Sequence, residues 1–162
     1  MVSVVISGGQ TGVDQAALRA ALALNIEIGG WCAPDRQSEA GPIPPVFTLR
    51  ETPEERSPGA PMVPRSLRTE WNVRDSDGTL VIAPGHCLNS PGTQWTIECA
   101  QRLRRPLLLI DPSANLAIRQ VRGWIDSSQI ATLNVAGPSE SECPGISDLT
   151  VSLLRQALII GP

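Results

Sequence analysis

A Rossmann-like open parallel sheet with helices on both faces is the α/β class this sequence predicts, and three features predict it. Apolar runs of strand length alternate with helix-forming stretches along the chain, a pattern that buries best as right-handed βαβ crossovers. The first apolar run passes through a glycine-rich turn straight into a helix, and in such sheets ligands sit at the carboxyl ends of the strands. The third feature is size. A chain of 162 residues can bury about 68–70% of its unfolded surface in one core without staples, so residues 1–162 are expected to form a single Rossmann-like domain.

Met1 to Ser7 reads as a buried strand, Gly8-Gly9-Gln10-Thr11-Gly12 as a tight loop, and Val13 onward as a helix rich in alanine and leucine through Leu24. Eight prolines lie between Pro34 and Pro64, with Gly41 and Gly59 among them, which excludes a continuous helix or a central strand. Residues 34–64 therefore read as an irregular proline-rich segment around one short strand at Val46-Phe47-Thr48-Leu49, either a lid over a site or partly disordered. A helix is predicted over Arg65 to Asp75. The apolar run Thr79 to Ala83 suits a strand covered on both faces and ends at Pro84-Gly85. Thr93 to Arg104 places Trp95, Cys99 and Leu103 on one helical face. Leu107 to Ile110 is a strand, Asn115 to Asp126 a helix, Ile130 to Ala136 a strand and Ser147 to Ile159 a last helix.

Composition narrows the partners. The net charge is −3 and the 13 basic residues are scattered, so neither a nucleic-acid footprint nor a polybasic membrane patch is visible, and a small ligand is expected. All of those cations are arginine, which excludes a Walker-type lysine and Schiff-base chemistry. Residues 2–6 are too short for the apolar region of a signal peptide, no apolar run approaches the ~18 residues of a membrane span, and a cytoplasmic location is the expectation. Cys32, Cys87, Cys99 and Cys143 are widely spaced without a C-x-x-C pair and are expected to be reduced, structural thiols. His86, beside Cys87, has no further ligand at metal-site spacing and reads as a loop residue.

The chemistry concentrates at three places. Ser7 to Asp14 satisfies neither G-x-G-x-x-G nor the Walker motif, yet a helix start carries unpaired N–H groups and partial positive charge. The turn Gly8, Gly9, Gln10, Thr11 and Gly12 is thus expected to receive a phosphate through main-chain amides and the Thr11 hydroxyl. Asp14 has two readings: it completes the helix dipole, or it accepts from a ribose hydroxyl or a heterocycle, because a carboxylate there would repel a phosphate without a donor between them. Arg68, Asn72 and Asp75 fall on one face of the second helix and could clamp a phosphorylated heterocycle. On the same helix Glu70 and Arg74 read as a surface i,i+4 pair worth ~0.3–0.5 kcal/mol, Trp71 as core, and Asp75 with Asp77 as turn residues rather than paired carboxylates. Ser90, Gly92 and Thr93 repeat the strand, small-residue loop and helix pattern and should face the same crevice. Glu98 reads as a solvated helix residue.

Ser7 to Leu18, with Arg68 to Thr79, resembles the molybdenum carrier family of the SLOG superfamily, circularly permuted relatives of the lysine-decarboxylase-like phosphoribohydrolases. Ala33 to Arg36 through Gly41 to Pro44 is similar to a third family segment, with Asp35 where a basic residue is expected. In the hydrolase relatives a P-G-G-x-G-T-x-x-E motif supplies phosphate donors and a catalytic glutamate; Pro91-Gly92-Thr93 matches part of it and Glu98 is displaced. The resemblance implies a binding or carrier protein for a phosphorylated small ligand, molybdenum cofactor or a nucleotide, and a homo-oligomer. The alternative it implies is an enzyme cleaving the N-glycosidic bond of a nucleoside monophosphate with Glu98 or Asp75.

Overall fold

In the computed structural model, residues 1–159 are described. Five parallel strands form the central sheet: β1 (Val4–Ile6), β2 (Glu27–Gly29), β7 (Gly78–Ile82), β8 (Leu107–Ile110) and β9 (Thr132–Ala136), in the order β2-β1-β9-β7-β8. The register sets Val5 opposite Ile28 and Leu133, and Leu80 opposite Val135 and Leu108. β7 lies one strand in from the edge and is buried along its whole length, which is why it reads as an unbroken apolar run.

Helices α1 (Val13–Ala23), α2 (Ser66–Arg74), α3 (Pro91–Arg102), α4 (Ala117–Ser127) and α5 (Ile146–Ala157) cover both faces. Their sides follow from strand order and handedness. The connections β1 to β2 and β8 to β9 run toward the β2 edge, whereas β2 to β7 and β7 to β8 run toward the β8 edge. Right-handed crossovers then put α1 and α4 on one face and α2 and α3 on the other. The packing agrees: α5 lies against α1 and α4, and α2 against α3. The larger core joins Val5, Leu80, Ile82, Leu133 and Val135 to α1, α4 and α5, and a smaller one joins Val73 of α2 to Trp95, Cys99 and Ala100 of α3. Alanines at 16, 17, 20 and 21 are buried, and their small side chains let α1 sit close to both sheet and α5.

The proline-rich segment is built, not loose. It carries β4 (Gln37–Ser38) antiparallel to β5 (Gly41–Pro42), and β6 (Arg50–Glu51), which pairs in parallel with β3 (Trp31–Cys32). The strand expected at Val46–Leu49 is instead a turn and coil leading into β6, and Ile43, Phe47 and Leu49 close with Leu18 and Cys32 into a core of their own. Arg36 holds it by donating to the carbonyls of Leu49 and Phe47 at 2.9 and 2.8 Å.

Cysteine chemistry also differs from expectation. Cys87 and Cys143 form a disulfide, with Cα atoms 5.9 Å apart and a sequence separation of 56. Cys32 and Cys99 are free and buried; burial pushes the Cys99 thiol up to about 12. Among the described residues no helix is long and apolar enough to cross a membrane.

Candidate functional site

The strand ends that diverge toward opposite edges leave a crevice between them, where open α/β sheets bind ligands. A cavity of about 220 Å³ occupies it, walled by Gln10 and Asp14 of the first turn and helix, Arg65 at the N-cap of α2 with Arg68 and Thr69 in that helix, Ser90 to Thr93 at the start of α3, Glu39 of the β4–β5 hairpin, and the loop after β9 with Ser139 and Glu142.

Asp14 and Arg68 are the charged pair in this wall. Arg68 Nη1 lies 2.8 Å from Asp14 Oδ2, and the side chains are 14% and 3% exposed. The Gln10 amide donates to the same oxygen at 3.2 Å. Burial pushes the Asp14 carboxyl above its ordinary value, and Arg68 with the Gln10 amide offsets part of that rise. Arg68 Nε is buried without an acceptor among the described residues. Opposite it, Ser90 caps α3: its hydroxyl accepts from the Thr93 amide at 3.3 Å and donates to Thr93 Oγ1 at 2.8 Å.

Glu39 reaches across the mouth and accepts from the Thr11 hydroxyl and from the Ser141 hydroxyl and amide. Burial alone would raise its pKa, but the Ser141 and Thr11 bonds outweigh it and hold Glu39 below the usual carboxylate range.

Residues 5–158 match the family described as Circularly permutated YpsA SLOG. The chain belongs to this family. It is similar to a crystal structure from Syntrophus aciditrophicus SB named putative molybdenum carrier protein, at 36% identity and a TM-score of 0.87, over 98% of this chain and 96% of that one. Among curated proteins none matches.

Within this member of the SLOG family, the sequence-predicted residues divide. Gln10, Asp14, Arg68, Ser90, Gly92 and Thr93 line one cavity; of the first glycine turn, Gln10 alone is among its walls. Gly8 and Asn72 line a separate small cavity of about 10 Å³ on the other side of Arg68 and Thr69. Asn72 is committed elsewhere, its amide accepting from the Trp31 N–H at 2.8 Å and donating to the Trp31 carbonyl at 2.9 Å. Thr11 and Gly12 open onto a separate surface depression with Gln15 and Arg19. Asp75 stands outside, bound to Arg74 at 2.6 Å and to the Trp31 indole N–H at 2.7 Å.

The glycine turn itself is filled by protein. A Cβ at Gly8 would coincide with the Arg68 guanidinium, one at Gly9 would come within 2.7 Å of Leu49, and one at Gly12 within 2.5 Å of the Pro138 carbonyl. The Gln10 and Val13 amides are bonded to Asp14 and Pro138. An anion cradle made by the Gly9 amides alone is therefore replaced by a wall in which Arg68 lies on Gly8.

Two further readings are corrected. Glu70 accepts from Ser57, not from Arg74. Trp71 is half-buried, edge-on to Trp31 at 4.7 Å with Arg74 over its ring. Glu98 is a solvated helix residue as expected, paired with Arg102 on the exposed side of α3. Sequence reasoning missed Arg65, Glu39 and the Ser139–Glu142 loop; the last carried a signal, since Gly137-Pro138-Ser139 directly follows the predicted strand ending at Ala136.

Proposed function

We propose that this chain binds and carries a phosphorylated small molecule in the crevice between Arg68 and the start of α3. One observation carries the reading: the Arg68 Nε is a buried donor without an acceptor among the described residues, on a side chain that lines the cavity. Leaving such a donor unmade costs about 1–3 kcal/mol, which an anionic ligand would recover. Ser90, Thr93 and the Gly92 amide of α3 stand across the same space, and a helix N-terminus favours phosphate. Asp14, Glu39 and Glu142 are acceptors suited to the N–H groups of a heterocycle. A phosphorylated pterin fits this donor and acceptor set, and so does a nucleotide. The cavity is smaller than the ~300–1,000 Å³ usual for a whole drug-sized ligand, so the phosphate end is held inside and the ring lies toward the mouth.

The name of the Syntrophus relative favours carriage over turnover, and the carboxylates proposed for glycosidic cleavage, Glu98 and Asp75, do not line the cavity. Self-association, which the family resemblance implies, belongs to the same proposal and is read by sedimentation velocity.

Native mass spectrometry of the chain as purified tests the reading, followed by titration with inorganic phosphate, AMP and a phosphorylated pterin. A 1:1 phosphorylated adduct is expected, lost in Gly8→Ala, whose added methyl displaces the Arg68 guanidinium. Release of free base from AMP would replace carriage by hydrolysis; no adduct and no binding of any of the three would end the proposal.

A further inference from the structure

Outside the crevice the fold brings two sulfur ligands and one imidazole together. His86 and Cys87 lie on the short turn between β7 and α3, and Cys143 on the loop before α5. One ligand atom from each lies within 4.8 Å of the others; His86 is exposed and both cysteines are buried. His86 and Cys87 alone carry no metal spacing, and what completes the set is a residue 56 positions away. Both loops also wall the phosphate crevice, Cys87 three residues before Ser90 and Cys143 next to Glu142.

We propose that the reduced Cys87–Cys143 pair, with His86, is a Zn²⁺ site. Two thiolates and an imidazole are the ligands a borderline-soft d¹⁰ cation prefers, and a three-residue set leaves the fourth tetrahedral position to solvent. The disulfide and the metal site are two states of the same sulfurs. A thiol reductant such as glutathione attacks one Sγ and the other leaves as a thiolate. A second thiol resolves the mixed disulfide, so two electrons and two protons enter the protein and the reductant departs as its disulfide. Zn²⁺ then displaces the two thiol protons to solvent as it binds. In either state the loops on both sides of the crevice are tied together.

The test uses the whole chain, oxidised or reduced with a phosphine, and Zn²⁺ alone as probe against a chromophoric chelator. One Zn²⁺ per chain is expected after reduction and none while the disulfide is intact, with a thiolate-to-metal charge-transfer band when Co²⁺ replaces Zn²⁺. His86→Ala, a change at an exposed position, should weaken Zn²⁺ binding by at least the roughly tenfold that loss of an outer-shell partner costs and leave unfolding of the oxidised chain unaltered. A Cys32→Ser, Cys99→Ser double variant should bind as the wild type does. Absence of stoichiometric binding to the reduced chain, unchanged affinity in His86→Ala, or loss of binding in a double variant that still unfolds cooperatively would each overturn the proposal.

Discussion

Arg68 is the residue on which most of the site turns, and its partner makes it testable without a ligand. Asp14 is 2% exposed, and removing the cation leaves a buried carboxylate uncompensated, a loss of about 3–5 kcal/mol. The pH dependence has a definite sign. Burial raises the folded-state value of Asp14 above 3.8, so its protonated form favours the fold: that contribution is complete below the unfolded value and disappears as pH rises through the folded one. Arg68→Met raises the folded value further, so its deficit should be small near pH 4 and grow toward about pH 7. Urea unfolding at the two pH values measures this, and a deficit independent of pH would show that the pair is not its source. Arg68 was legible as a candidate because it opens a motif, whereas its contact with Gly8 was not, since 60 residues separate them. Asp75 misled for the opposite reason. Helical spacing puts it on the Arg68 face, but it is the residue after α2, and Arg74 and Trp31 claim it there.

At the scale of elements, α3 links local sequence to the crevice most directly. Ser90 is a good N-cap with Pro91 at the first helical position, the combination expected where a helix must begin abruptly. Ser90→Ala should cost about 1 kcal/mol and speed hydrogen exchange at the Thr93 amide, whose acceptor it removes; unchanged protection there would mean that other contacts hold the helix start. Long, strongly periodic segments were readable to within a residue or two, as α2 and β7 show. Elements made of two or three residues were not. Strand β2 (Glu27–Gly29) has too few residues to establish an alternation, and it is a strand because β1 offers it a paired edge. The proline-rich segment has the same explanation. Beyond the short β4–β5 pairing, Arg36 with the Ile43, Phe47 and Leu49 cluster orders it.

For the molecule as a whole, the disulfide is the strongest cross-link among the described residues. Closing 56 residues of sequence lowers the entropy of the unfolded chain by an amount worth about 4 kcal/mol. Metal-free reduction should therefore shift the urea midpoint downward by up to that amount in free energy, and a midpoint insensitive to reduction would remove Cys87–Cys143 from the stability of the fold.

The sequence by itself determined the fold class and the strand and helix alternation, and it singled out Arg68 and the start of α3 as candidates, because hydrophobic period, glycine and proline act locally and are written in consecutive residues. The tertiary structure alone decided which donors remain available in the crevice, the placement of Arg68 over Gly8, the closing of the mouth by Glu39, and the meeting of His86, Cys87 and Cys143. Each of these joins residues far apart in the chain, and only the packing of the sheet and its crossovers brings such residues within bonding distance.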